Sequence, residues 1–317
     1  MRSWWEQCET GPTMTKILSH AEWTAQREEH ARKVEELTAA ARERRTRGER
    51  HPVWDFMFSY YPVTPGKLAH WHPGIGVTLE IENHAEGAEA ASTKKTADLP
   101  KHKDHYVERE GTWTLDLEKH WADRGKSIGY IHRLLALTLQ RPPQLGCFGL
   151  HEWAMVYKDA PRHPEPLRLG VEGTDAVVDQ GQLKCTHFDA YRFFTERAVP
   201  LNELSPARES QHELEQPGCL HATMDVYKWA TKLGPVIPGD LWLRTFELAC
   251  DVRVLDMEAS PYDLREWGFA PVKIEEPAGR AEYVRRQREL MERGQALRAE
   301  IIGILESYFS QLRPVSS

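Results

Sequence analysis

Helical periodicity dominates this chain and constrains its fold more than any other feature. From Ser205 onward, apolar residues recur at helical spacing over 206–215, 219–233, 239–258 and 278–312, with Gly218 and Gly234 bracketing the second run. Upstream, Trp121, Ile128, Ile131, Leu134, Leu135 and Leu139 mark one helical face between Glu118 and Gln140, and Arg141-Pro142-Pro143 ends it. Ser19-His20-Ala21-Glu22 is a capping-box pattern that opens a run rich in Ala, Glu and Arg, reaching about Arg47, with few apolar positions. Strand signals are sparse. Ala176-Val177-Val178 and Leu183-Lys184-Cys185 flank Asp179-Gln180-Gly181-Gln182 and predict a hairpin. The expected fold is mainly α (α+β): a helical core with a small β-hairpin or sheet element and long N- and C-terminal helices.

This pattern divides the chain into a charged helical extension (1–50), a core domain (51–276) and a long C-terminal helix packing on that core (277–317). The segment from His51 to Gly76 is aromatic and irregular, which reads as buried loop and short helix. Residues 83–108 are polar and aperiodic, so a mobile loop is expected there.

In 317 residues, 41 Lys and Arg face 48 Asp and Glu, a net charge of −7. That balance excludes wholesale attraction to a polyanion, so nucleic-acid binding would need a local basic patch; Arg42, Arg44, Arg45, Arg47 and Arg50 supply one. No stretch approaches the roughly 18 apolar residues of a membrane helix. The start, Met1-Arg2-Ser3-Trp4-Trp5-Glu6, lacks the apolar run of a secretory signal. The expectation is a cytoplasmic protein with no membrane partner. Five cysteines spread singly through the chain predict reduced thiols.

Four stretches join groups capable of catalysis to aromatic or glycine neighbours. In Gly146-Cys147-Phe148-Gly149-Leu150-His151-Glu152-Trp153, an imidazole and a carboxylate lie beside an indole. In Cys185-Thr186-His187-Phe188-Asp189-Ala190-Tyr191, a continuing strand would set His187, Asp189 and Tyr191 on one face, where a solvated face is the ordinary alternative. In the helix from Cys219 to Trp229, the i, i+4 rule aligns His221, Asp225 and Trp229 beside Lys228 and Lys232, opposite Leu220, Met224 and Tyr227. Glu247 and Asp251 are likewise i, i+4, though Arg244 and Arg253 are near enough to pair with them. Cys147/His151, Cys185/His187 and Cys219/His221 are close pairs of soft ligands, but no C-x-x-C or H-E-x-x-H fixes a zinc site. A dimetal site built from Glu152, His221, Asp225, Glu247 and Asp251 is the other metal alternative. The phosphate loop, the complete dinucleotide fingerprint and the G-x-S-x-G elbow are all missing from the sequence.

At these residues the chain resembles an actinobacterial family commonly labelled 3-methyladenine DNA glycosylase. The likeness covers most of 51–290. It is carried by HPVWDFMFSYYPVTPGKLAHWHPGIGV (51–77), GCFGLHEWAMVY (146–157), RLGVEGTDAVV (168–178), CTHFDAYRFFT (185–195), LNELSPARESQHELEQPGCLHATMDVYKWATKL (201–233) and ELACDVRVLDMEASPYDL (247–264). The resemblance implies a hydrolase that extrudes an alkylated purine from DNA and holds it between aromatic faces. Asp189 and Asp225 are then the candidate carboxylates for stabilising the sugar cation and activating water, with His187, His221 and Glu152 beside them. Trp153, Tyr191, Trp229, Lys228 and His151 are candidate substrate contacts, Lys228 less readily an amine nucleophile, and Arg44, Arg45 and Arg47 the candidate DNA contacts. No cofactor is expected on this reading. The alternatives are a zinc or dimetal-carboxylate enzyme on a small molecule or nucleoside, and a non-catalytic nucleic-acid-binding protein.

Overall fold

The structure is a computed structural model describing residues 16–82 and 103–312. Among them, eleven α-helices and one four-stranded sheet give a mainly α architecture. In chain order the elements are β1 (Lys16–Leu18), α1 (His20–Arg47), α2 (Phe56–Ser59), α3 (Pro65–Leu68), β2 (Val77–Glu80), β3 (Tyr106–Arg109) and β4 (Thr112–Leu115). They continue with α4 (Leu117–Gln140), α5 (Leu150–Ala154), α6 (Gly170–Gln180), α7 (Phe188–Tyr191), α8 (Gln211–Leu214), α9 (Leu220–Leu233), α10 (Gly239–Glu258) and α11 (Pro277–Leu312).

The capping box forms as expected, with the Glu22 carboxylate accepting from the Ser19 amide at 2.8 Å and the Ser19 hydroxyl accepting from the Glu22 amide at 3.3 Å. Helix α1 buries only the stripe Trp23, His30, Val34 and Thr38. Two polar contacts fix that stripe: the Trp23 indole donates to the Glu80 carbonyl at 2.9 Å, and His30 Nε2 meets the Leu68 carbonyl at 2.8 Å. At the centre, α9 pairs with α10, and α4 and α11 flank them. Eleven of the fourteen residues of α9 are buried, which makes it the axis of the core. Polar residues on such a helix must find partners inside the protein.

The sheet has the order β1-β2-β4-β3; β1 runs parallel to β2 (Lys16 opposite Val77), and the other pairings are antiparallel. Its hairpin is not the predicted one. Ala176-Val177-Val178 belongs to α6, where Thr174 and Val178, four apart, are both buried, so tertiary packing overrides the strand preference of the two valines. Gly181 ends that helix, its amide bonding the Val178 carbonyl at 3.1 Å. The hairpin that does form joins β3 to β4 through Glu110 and Gly111, both at positive φ (49° and 76°), as a primed two-residue turn requires. Residues 103–108, expected in the mobile loop, thus enter a 3-10 turn and a strand; the rest of that expectation, 83–102, lies outside the described residues. Of the predicted helix 206–215, only Gln211–Leu214 is α-helical, between Pro206 and Pro217.

Candidate functional site

A seam of polar side chains runs through the core where α5, α7, α9 and α10 meet. Its inner half begins at the turn before α5, where Phe148 and Gly149 both have positive φ (49° and 77°) and swing His151 and Glu152 inward. Glycine suits 149 because φ is positive there, and a Cβ would lie 3.3 Å from Ala259 and from Tyr283, closer than ordinary van der Waals contact. His151 Nε2 lies 2.8 Å from Asp256 Oδ1, and Arg253 donates to the other oxygen of Asp256 at 2.8 Å while standing 3.6 Å from Glu152. On the far side of the imidazole, Cys147 Sγ is 3.6 Å from His151 Nδ1. The His221 ring, from α9, meets His151 edge-on at 4.6 Å, and His187 lies 5.5 Å beyond His221.

The outer half starts at His187, whose Nε2 is 3.3 Å from Asp225 and 3.6 Å from Glu215. Asp225 also accepts from the Tyr61 hydroxyl at 3.2 Å and from Lys228 at 2.8 Å. Lys228 bonds Asp189 as well, so one ammonium joins two carboxylates. Glu215 accepts from Gln211 at 2.8 Å, and Gln211 in turn accepts from Tyr130 at 2.7 Å. Asp225 is wholly buried, whereas Asp189 is 5% exposed and Lys228 opens toward a rim of Arg192, Arg208 and Lys232.

These contacts set the charges. Burial alone would raise the Asp225 carboxyl, but Lys228 and the His187 imidazole 3.3 Å away outweigh it and hold the group well below the usual carboxylate range. Asp189 follows the same logic: burial raises it, and Lys228 brings it below its ordinary value. Burial would deprotonate Lys228, yet Asp225 and Asp189 prevail and keep it an ammonium. For His187, burial is overcome by Asp225 and Glu215, which raise it. His221 is pushed down to about 3, first by burial and then by the charge on His151, and is a neutral imidazole. Burial and the facing Asp256 both push the Glu152 carboxyl up.

The fold therefore gathers His187, Asp189, Asp225 and Lys228 in the outer half, and His151, Glu152 and His221 in the inner half. The shared strand face for His187, Asp189 and Tyr191 does not exist, because His187 caps a single helical turn, α7, and Tyr191 packs against Phe194 at 5.2 Å. Trp153 is wholly buried with its indole donating to the Ala259 carbonyl at 2.8 Å, so it is core and not a wall open to a substrate. Trp229 is also buried; Lys228 and Lys232 lie 4.9 and 5.2 Å from its ring. The five-residue dimetal set does not assemble. Glu247 and Asp251 lie on the exposed side of α10, where Asp251 pairs with Arg293 at 2.6 Å. Arg253, thought available to them, faces inward to Asp256 instead. At the end of α1, Arg44 pairs with Asp55 at 3.7 Å and Arg47 with Glu49 at 2.9 Å, while Arg45 is exposed.

Glu215 was absent from the expected site, and Asp256, which follows Glu247 and Asp251 along the fourth stretch, was not among its catalytic residues. Asp256 carried a readable signal, since Val252, Leu255 and Asp256 lie on one buried face of α10 with Arg253 three residues before the acid. Glu215 carried none, as it follows a single helical turn and precedes Gln216-Pro217-Gly218. Cys147, Cys185, Cys219 and Cys250 are free thiols, and Cys8 lies outside the described residues. Among those residues no helix is long and apolar enough to cross a membrane. No protein-family model matches the chain, and no curated protein or solved structure matches it either.

Proposed function

We propose that this protein is a hydrolase of the N-glycosidic bond of a nucleobase, the activity its likeness to the family labelled 3-methyladenine DNA glycosylase implies. The observation that supports this most is the pair of ionised carboxylates, Asp189 and Asp225, held by the single ammonium of Lys228 beneath a cationic rim. As the bond to the base breaks, its electron pair leaves on the base and positive charge grows on the sugar. A fixed carboxylate stabilises that charge, and a carboxylate within reach of water accepts a proton as oxygen attacks the anomeric carbon. Asp189, nearer the surface, is the proposed base; His187 positions Asp225 behind it. Lys228 orients both acids and, being protonated, is not the nucleophile. Tyr60, half-buried and close enough to feel the charges of Asp225 and Lys228, offers an aromatic face on which a cationic alkylated base would rest, whereas Phe188 already carries the Arg208 guanidinium 4.9 Å from its ring.

The deciding experiment incubates the full chain with alkylated DNA and detects released free base by mass. Asp189→Asn and Asp225→Asn should each cut release by at least about two orders of magnitude, the lower end for a positioned acid or base, with the fold intact by circular dichroism. Failure of the wild-type chain to release base from alkylated DNA or from the corresponding nucleosides would end this reading.

A further inference from the structure

We propose that His151, Glu152, His221 and Asp256 form a closed binding site for one divalent transition-metal ion of the zinc type, which ties α5, α9 and α10 together inside the core. One donor atom from each of the four lies within 4.8 Å of all the others, and all four residues are buried. Two imidazole nitrogens and two carboxylate oxygens make a donor set that suits zinc and its neighbours and does not suit magnesium or calcium, which take oxygen alone.

Without an ion, His151 Nε2 and Asp256 Oδ1 bond each other at 2.8 Å, so metal binding would release the proton between them and turn both atoms to the ion. Arg253 holds Asp256 through Oδ2, leaving Oδ1 to face His151. Cys147 touches His151 at Nδ1, leaving Nε2 to face Asp256. Partners of this kind orient metal ligands from behind. An independent sign comes from His221, 5% exposed, whose Nδ1 has no hydrogen-bond partner and whose ring stands edge-on to His151 at 4.6 Å. A buried imidazole nitrogen without a partner costs free energy that coordination would recover. Glu152 and Asp256 also face each other across the cluster, and the one guanidinium beside them lies 3.6 Å from Glu152, beyond hydrogen-bonding reach. An ion at the centre would draw the four donors to bonds of about 2.0–2.2 Å. With four protein ligands and no face to solvent, the ion has a structural role. The site shares no residue with the Asp189–Lys228–Asp225 group and stands or falls separately from the glycosidic reading.

The test uses the full chain, stripped with a chelator and then titrated with zinc, with cobalt(II) as a spectroscopic substitute. The expected result is one zinc per chain, a melting temperature lowered by stripping and restored by zinc, and a tetrahedral cobalt spectrum without a thiolate charge-transfer band. Glu152→Gln and His221→Gln should each weaken zinc binding by about 10-fold or more, while Asp189→Asn should leave it unchanged. Absence of stoichiometric uptake by the wild-type chain overturns the proposal, whatever the variants do. So does uptake that survives both ligand substitutions, or a thiolate band, which would move the ion to the cysteines. If the ligand variants do not fold, the wild-type stoichiometry and cobalt spectrum decide alone.

Discussion

Lys228 shows how much chemistry one side chain can fix. Its ammonium keeps two buried carboxylates ionised, and they in turn keep it charged, so the trio has a single protonation state across the neutral range. His187, Asp189, His221, Asp225 and Lys228 were legible in the sequence because imidazoles and acids stood among aromatic residues where a solvated face would carry Glu and Lys. Glu215 was not, since nothing beside it announces that its partners arrive from distant segments, and Asp256 showed only in its helical spacing from Val252 and Arg253. A simpler ion pair lets the same electrostatics be measured. Arg168 grips Glu275 through two hydrogen bonds of 2.5 and 2.9 Å, largely out of solvent. Burial raises the Glu275 carboxyl, but the bond from Arg168 outweighs it and places the folded-state value below the unfolded one. The pair's stabilisation is therefore complete above the unfolded carboxyl range, near pH 4.3, and is lost as pH falls through the lower folded value. Urea denaturation of wild type and Glu275→Gln should differ by about 1–3 kcal/mol at pH 7 and converge toward pH 3. A gap that is the same at both pH values would mean that ionisation of Glu275 contributes nothing.

Among the elements, the long helices were readable, whereas α6, the short turn at Gln211–Leu214 and the strands were not. α9, α10 and α11 begin and end within a residue or so of their predicted limits, because glycine and proline punctuate long periodic runs. Each strand of the sheet has three or four residues, too few for alternation to stand out, and Val177-Val178 gave a competing signal that packing overrode. Two glycines separate backbone strain from crowding. A Cβ at Gly111 meets nothing within 4 Å, so Gly111→Ala should cost only the price of positive φ, about 1–2 kcal/mol. Gly149 has a similar φ but faces Tyr283 and Ala259, so Gly149→Ala should cost clearly more and disturb His151. Equal denaturation midpoints for the two variants would show that the contacts at Gly149 relax freely.

For the whole molecule, net charge is a poor guide to where an anion would dock. The arginines at the end of α1 looked basic in sequence, yet Arg44 and Arg47 spend their charge on neighbouring acids. Arg192 and Arg208 come from segments without a cationic run, and folding places them together beside Asp189. If DNA binds, replacing Arg192, Arg208 and Lys232 together by Ala should weaken binding and flatten its salt dependence, and the triple change at Arg44, Arg45 and Arg47 should do less. The reverse order of effects would relocate the interface to α1. The inner half of the seam has a history as well as a geometry. His151 and the Asp256 that faces it are 105 residues apart along the chain. Closing so long a loop adds little equilibrium cost, since each doubling of length costs only about 0.6 kcal/mol. During synthesis, though, the imidazole leaves the ribosome long before its carboxylate exists. α9 and α10 are joined by a short link, whereas the turn at Phe148 and Gly149 brings His151 and Glu152 to Asp256 across a long loop, a non-local closure of the kind that slows folding.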